Sequence, residues 1–115
     1  MQLGSPEHKA QMCQDLIKTY HENIWKDEMY LIQLEEIKGD KRKEIAAIEL
    51  DLENKEYPNA KEAKQGKQAL EKAKFVAERE LAQIEGEIKK ISEQVNAIWP
   101  ARIRLVQEYL AKDQA

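Results

Sequence analysis

The chain has 115 residues, of which 36% are charged and 42% hydrophobic, and its formal net charge is −3. This length corresponds to one domain, and so large an apolar fraction excludes a wholly disordered chain. Four glycines and three prolines are too few for the many turns of an all-β domain, so we expect an all-α fold. The mildly acidic total disfavours a nucleic-acid partner, because it supplies no positive field for phosphates.

Composition also bears on the compartment. The longest aliphatic runs, at residues 30–32 and 45–48, fall far short of the roughly 20 residues that cross a bilayer. The amino terminus lacks the basic start and apolar core of a secretory signal. The single cysteine, Cys13, excludes an intrachain disulfide framework and fits a reducing compartment. We therefore expect a cytoplasmic protein without a membrane span.

The first predicted element is a long helix over about residues 6–54. Ser5-Pro6-Glu7 is a favourable start, since serine caps free amides, proline suits the first helical position and glutamate opposes the helix dipole. Apolar residues then recur in alternating steps of three and four, the spacing of a coiled-coil seam. Gly39 and Asp40 weaken this helix locally without resetting the spacing. The first seam consists of Ala10, Cys13, Ile17, Tyr20, Ile24, Leu31, Leu34, Ile45, Ile48 and Leu52, interrupted by Asp27, Lys38 and Lys41.

A turn at residues 55–59 separates this helix from the next. Pro58 disfavours helical geometry at Tyr57, and Asn59 with Glu62 has the spacing of a capping box. A second helix is therefore predicted over about residues 60–99. Its seam consists of Ala63, Leu70, Ala77, Leu81, Ile84, Ile88, Ile91, Val95 and Ile98, with Lys67 and Lys74 as polar exceptions.

Folding the chain at residues 55–59 brings the two seams together. Such a tight turn makes Ile45 face Leu70 and places Lys41 opposite Lys74, a shared polar layer that supports the pairing. An acidic band argues against this register. In this band like charges of the two arms meet, whereas positions that flank a stable seam normally carry opposite charges. The band would contain Glu28, Glu35 and Glu36 on the first arm and Glu78, Glu80, Glu85 and Glu87 on the second.

Pro100 interrupts the second helix, and the apolar phase slips there by about one residue. We expect a kinked helical segment over residues 101–112 that continues the second arm. A separate helix that folds back on Trp25 is the alternative. The prediction for residues 1–115 is a single all-α domain, a long antiparallel coiled-coil helical hairpin that could form a four-helix bundle as a homodimer.

Some apolar side chains lie outside the seam and predict a contact surface. Trp25, Met29 and Ile32 are spaced i, i+4 and i+7, and Phe75 and Val76 also leave the seam. We expect such a surface to bind a second copy of the chain or another helical protein. The predicted function is that of a non-enzymatic interaction, scaffold or chaperone-like module. Its interface candidates are Trp25, Met29, Ile32, Ile103, Val106 and Leu110.

Two alternative functions stay open. A nucleic-acid-associated regulator would use a basic cluster near the turn, although interleaved acidic residues dilute it and no aromatic platform accompanies it. A metal-binding helical bundle would use His8, Cys13 and His21, whose spacings of five and eight do not share one helix face. No Glu-x-x-His, nucleophile or glycine-loop motif is present, so we expect neither catalysis nor a cofactor. The basic cluster consists of Lys38, Lys41, Arg42, Lys43, Lys72 and Lys74.

Overall fold

A computed structural model describes residues 6–114, and throughout that part of the chain the regular secondary structure is helical. Helix α1 spans Pro6–Asn54, helix α2 spans Ala60–Glu93 and helix α3 spans Trp99–Gln114. A π-helical turn, Gln94–Ile98, joins α2 to α3. The protein is an all-α helical hairpin, which confirms the predicted fold class.

Local hydrogen bonds define the ends of the helices at the turn. After α1 ends at Asn54, the backbone N–H of Lys55 still donates to the carbonyl oxygen of Asp51 at 2.9 Å. The side-chain oxygen of Asn59 accepts a hydrogen bond of 2.8 Å from the backbone N–H of Glu62. This bond satisfies one of the amides that a helix start leaves unpaired, so the predicted cap of α2 is confirmed. The predicted cap at Ser5 lies outside the described residues.

The chain forms two compact units. Unit 1 combines the described residues up to Ile32 with those from Lys89 onward, and unit 2 comprises Gln33–Ile88. The buried hydrophobic residues lie at seam positions in both units: Ile91 and Ile103 in unit 1, and Leu34, Ile45 and Ala77 in unit 2. The core is therefore a single stripe along each arm, as a seven-residue apolar repeat dictates.

The π-helical turn in unit 1 explains the slip of the apolar phase. The backbone N–H of Trp99 donates to the carbonyl oxygen of Gln94, a bond that spans five residues instead of four. Pro100 has no N–H to continue the regular ladder. The wider turn adds one residue and brings Ile103 back onto the seam, where it is 7% exposed. Helical residues run from Ala60 to Gln114 without a non-helical break, so the second arm continues past Pro100 and does not fold back as a separate helix.

The register of unit 2 differs from the predicted one. Lys41 bonds to Glu80 at 2.5 Å and Lys74 to Glu49 at 3.3 Å, whereas a tight turn would have placed the two lysines face to face. Glu80 lies six residues beyond Lys74 along α2. The arms are therefore offset by about one heptad, which preserves the apolar seam and replaces like-charge contacts by ion pairs.

Tyr57 in the turn packs on α2. Its ring lies against Gly66 on α2, so closely that a Cβ atom at residue 66 would lie 2.6 Å from the ring Cζ and Oη atoms. The Tyr57 hydroxyl is buried and has no hydrogen-bond partner among the described residues. The ring thus packs the turn against the first part of α2.

Replacing Gly66 by alanine is therefore expected to lower the free energy of unfolding, by up to about 2 kcal/mol. Overpacking against Tyr57 costs roughly 1–3 kcal/mol, and the better helix propensity of alanine returns only about 1 kcal/mol. Gly86→Ala is the matched control, since nothing lies within 4 Å of a Cβ atom there. The control should stabilise the chain by about 1 kcal/mol in urea unfolding. Equal stabilisation by both variants would show that Tyr57 does not pack on Gly66.

Candidate functional site

Three apolar side chains of unit 1 form a row on the outer surface of α1. Trp25 is 62% exposed, Met29 44% and Ile32 60%. Their spacing of four and three residues places them on one face of the helix. We call these three residues the Trp25 stripe. The structure leaves the stripe exposed, as the sequence predicted for a contact surface.

The helix that carries the stripe is held in place by the second tryptophan. The indole N–H of Trp99 donates to the Asp27 carboxylate at 2.7 Å, in a partly buried position. The ring of Tyr20 stacks on Trp99 with centroids 5.7 Å apart, and the Arg102 guanidinium lies 5.1 Å from the centre of the Trp99 ring. Asp27 interrupts the apolar seam in the sequence, and this hydrogen bond is the reason that the carboxylate is tolerated there.

The other half of the predicted interface faces inward. Ile103 is buried, and Val106 and Leu110 are half-buried at the positions that continue the seam beyond the π-helical turn. These three residues pack within unit 1 and do not extend the Trp25 stripe. The sequence predicted a phase slip of about one residue at Pro100, but it did not show that a π-helical turn returns these residues to the seam.

The basic cluster is largely matched by carboxylates. Lys41 donates to Glu44 at 2.9 Å as well as to Glu80, and hydrogen bonds to Glu80 and then Glu44 raise the pKa of its ammonium group. Lys74 lies between two carboxylates, Glu49 at 3.3 Å and Glu78 at 3.8 Å. Such pairs leave less positive potential for a phosphate.

The remaining members of the cluster vary in exposure. Arg42 is exposed and lies 3.7 Å from Glu85. Lys38 is half-buried, and Lys43 and Lys72 are exposed. The observed register thus places carboxylates within 4 Å of three of the six cations, Lys41, Arg42 and Lys74.

The predicted metal ligands lie on α1 in unit 1. Cys13 is a free, half-buried thiol at a seam position, His21 is exposed and His8 is half-buried. Within residues 6–114 the structure contains no group of three or more histidine, cysteine, aspartate or glutamate residues placed to hold a metal ion.

Unit 2 contains a shallow groove that the sequence did not predict. Its volume is about 350 Å³. Small side chains form its floor, and ionic side chains of both arms stand at its edge. It is lined by Ala73, Val76, Ala77, Glu44, Lys72 and Glu80. No motif marks such a groove, because it arises where small and charged residues of α2 lie beside Glu44 of α1.

Comparisons with known proteins leave the site to be interpreted from its own geometry. The chain matches no protein-family model, no curated protein and no solved structure. Within residues 6–114, the helices contain no apolar stretch of the length that a membrane span requires.

Proposed function

We propose that the protein is a non-enzymatic interaction module that presents the Trp25 stripe to a helix of a partner protein. The observation that carries this proposal is the exposure of Trp25, Met29 and Ile32 in one row on a continuous helix. Isolated exposed apolar residues are common on protein surfaces, whereas a row at helical spacing suits an amphipathic partner helix.

The energetics of the stripe favour binding. Covering a large apolar side chain contributes about 1.5–3 kcal/mol, and tryptophan is enriched among residues that dominate binding energy. Because the Asp27 to Trp99 hydrogen bond fixes the opposite side of α1, the stripe is presented with little loss of conformational freedom. The reducing environment that suits the free thiol of Cys13 supports the cytoplasm as the proposed compartment.

The proposal is tested by placing a charge in the stripe. Trp25→Asp and Ile32→Asp are each expected to abolish partner capture while leaving helicity nearly unchanged, because both side chains are already exposed to water. Wild type and variants would be immobilised and used to recover binding proteins from the native host, with circular dichroism to verify the fold.

Leu50→Asp provides the control for this experiment. Leu50 is also an exposed apolar residue of α1, but it lies in unit 2 and outside the stripe. The control should recover the same proteins as the wild type. If the stripe variants recover them equally well, the stripe is not the binding surface.

A further inference from the structure

A second apolar surface becomes visible when residues are sorted by heptad position. In a heptad a to g, positions a and d form the seam, c and g form one flank of a helix, and b and e form the other. Position a falls at Ile17 and Ile24 in α1, at Leu81 and Ile88 in α2 and, after the extra residue of the π-helical turn, at Ile103 in α3.

Ion pairs of unit 2 support this assignment. Glu44 and Glu80 both fall at position g and share Lys41, while Arg42 and Glu85 both fall at position e and pair with each other. Positions g of the two arms therefore lie on one side of the seam in unit 2, and positions e lie on the other. We call the first side the c/g flank and the second the b/e flank.

Exposed apolar side chains are concentrated on the c/g flank. Of the twelve large hydrophobic residues that are exposed in the described chain, seven fall at position c or g. Those of unit 1 are Met12, Leu16, Tyr30, Leu105 and Tyr109, and those of unit 2 are Ile37 and Val76. The groove of unit 2 opens on the same flank, because Ala73, Val76, Glu44 and Glu80 all line it.

The charges on this flank differ between the two units. In unit 1, every charged residue at position c or g of the described helices is basic, and in unit 2 every one is acidic. The b/e flank carries both signs in each unit, as Lys18 with Glu28 in unit 1 and Arg42 with Glu49 in unit 2 illustrate. The basic residues are Lys9, Lys26, Lys90, Arg102 and Lys112. The acidic residues are Asp40, Glu44, Asp51, Glu62, Glu80 and Glu87.

We propose that the c/g flank binds a second copy of this chain in a two-fold arrangement, with unit 1 of each copy on unit 2 of the other. This pairing brings the basic flank of each copy against the acidic flank of its partner. Unit 1 on unit 1, or unit 2 on unit 2, would place like charges together, which costs stability and specificity. A two-fold axis repeats the same contact twice, as is usual in homodimers.

The size of the surface suits a stable dimer. Seven half-exposed large side chains offer on the order of 500–700 Å² per copy, and the alanines and polar edge residues add to that area. A typical specific interface buries about 800 Å² on each partner. The proposal does not depend on the Trp25 stripe, whose residues fall at positions b and f.

The test is a pair of complementary charge reversals. The first variant, Lys26→Glu with Lys90→Glu, makes the unit 1 flank more acidic. The second, Asp40→Lys with Glu87→Lys, makes the unit 2 flank more basic. Each alone should raise the Kd of the dimer by about tenfold or more, since the two reversed charges at each contact then repel the partner's flank instead of attracting it. An equimolar mixture should recover dimers, because both contacts of the mixed dimer are complementary.

Multi-angle light scattering gives the mass, and native mass spectrometry of copies with different tags identifies the mixed dimer. Lys18→Glu with Lys89→Glu is the matched control, since it reverses two exposed lysines at position b of the same unit. This control should dimerise as the wild type does. Leu105→Asp provides a variant without charge reversal, and it should also lose the dimer while retaining its helicity.

Three outcomes would overturn the proposal: a wild type that remains monomeric at all accessible concentrations, a dimer that both charge-reversed variants retain, or a mixture that gives no mixed dimer. A dimer lost through Trp25→Asp but not through Leu105→Asp would assign self-association to the stripe instead. That result would contradict the c/g flank without removing the stripe as a binding surface.

Discussion

An Ile103→Ala variant is expected to lose about 2–4 kcal/mol of unfolding free energy, the usual cost of removing most of a buried isoleucine side chain. Ile103 is 7% exposed and lies beyond Pro100, so its burial depends on the second arm continuing through the π-helical turn. A loss of this size is a large part of the stability of a chain whose core is a single stripe. Urea unfolding followed by circular dichroism measures it.

Ile32→Ala is the matched control for Ile103→Ala. The same side chain is removed from the same unit, but Ile32 is 60% exposed, so a change within about 0.5 kcal/mol is expected. Similar effects of the two substitutions would contradict the burial of Ile103 in the seam. In native-state hydrogen exchange, the amides of α3 are also expected to lose protection in the Ile103→Ala variant.

A pair of introduced cysteines is expected to distinguish the observed register from the tight-turn register, because the disulfide forms in only one of them. In a Cys13→Ser background, Ile45→Cys with Ala77→Cys should form an intramolecular disulfide under mild oxidation. The ion pairs of Lys41 with Glu80 and of Lys74 with Glu49 bracket these two buried positions. Facing seam residues can reach disulfide geometry, whereas a residue one heptad away is displaced by about 10 Å along the helix.

Ile45→Cys with Leu70→Cys provides the comparison for this pair. Leu70 would face Ile45 if the turn were tight, and it should give no crosslink in dilute protein. Gel mobility under non-reducing conditions distinguishes the closed from the open chain. A crosslink through residue 70 but not through residue 77 would restore the tight-turn register and contradict the observed offset.

Local signals were sufficient to predict the helices, because each end has a chemical cause within a few residues. Pro58 and the Asn59 cap determine the turn, and the apolar steps of three and four determine which face of each arm is buried. The phase slip at Pro100 was visible in the sequence as well. Its cause, one extra residue in a π-helical turn, required the backbone to be seen.

The register could not be predicted in the same way. A seven-residue repeat matches itself after a shift of one heptad, so the apolar seam fits nearly as well in either register. The distinction comes from contacts between residues far apart in the sequence, namely the ion pairs of Lys41 with Glu80 and of Lys74 with Glu49. The acidic band expected from a tight turn was a sign of the wrong register.

The candidate surfaces also differ in whether local sequence was sufficient to predict them. The Trp25 stripe lies on one helix at neighbouring positions, so sequence spacing predicted it. The c/g flank combines residues of two arms, such as Leu16 with Leu105, and it appears only once the phase of α3 is corrected by one residue. The basic cluster depended on the register only in part, since the observed offset pairs Lys41 and Lys74 with carboxylates of the other arm.

The intrinsic fluorescence of the two tryptophans can be used to monitor unit 1. Both belong to unit 1, where Trp99 is hydrogen-bonded to Asp27 and stacked on Tyr20, while Trp25 faces solvent. Indole emission moves to shorter wavelength in an apolar surrounding, and an aqueous quencher reaches only an accessible ring. The fluorescence of Trp99 therefore reports the integrity of one hydrogen bond in the seam, and quenching of Trp25 reports occupancy of the stripe, both without an added label.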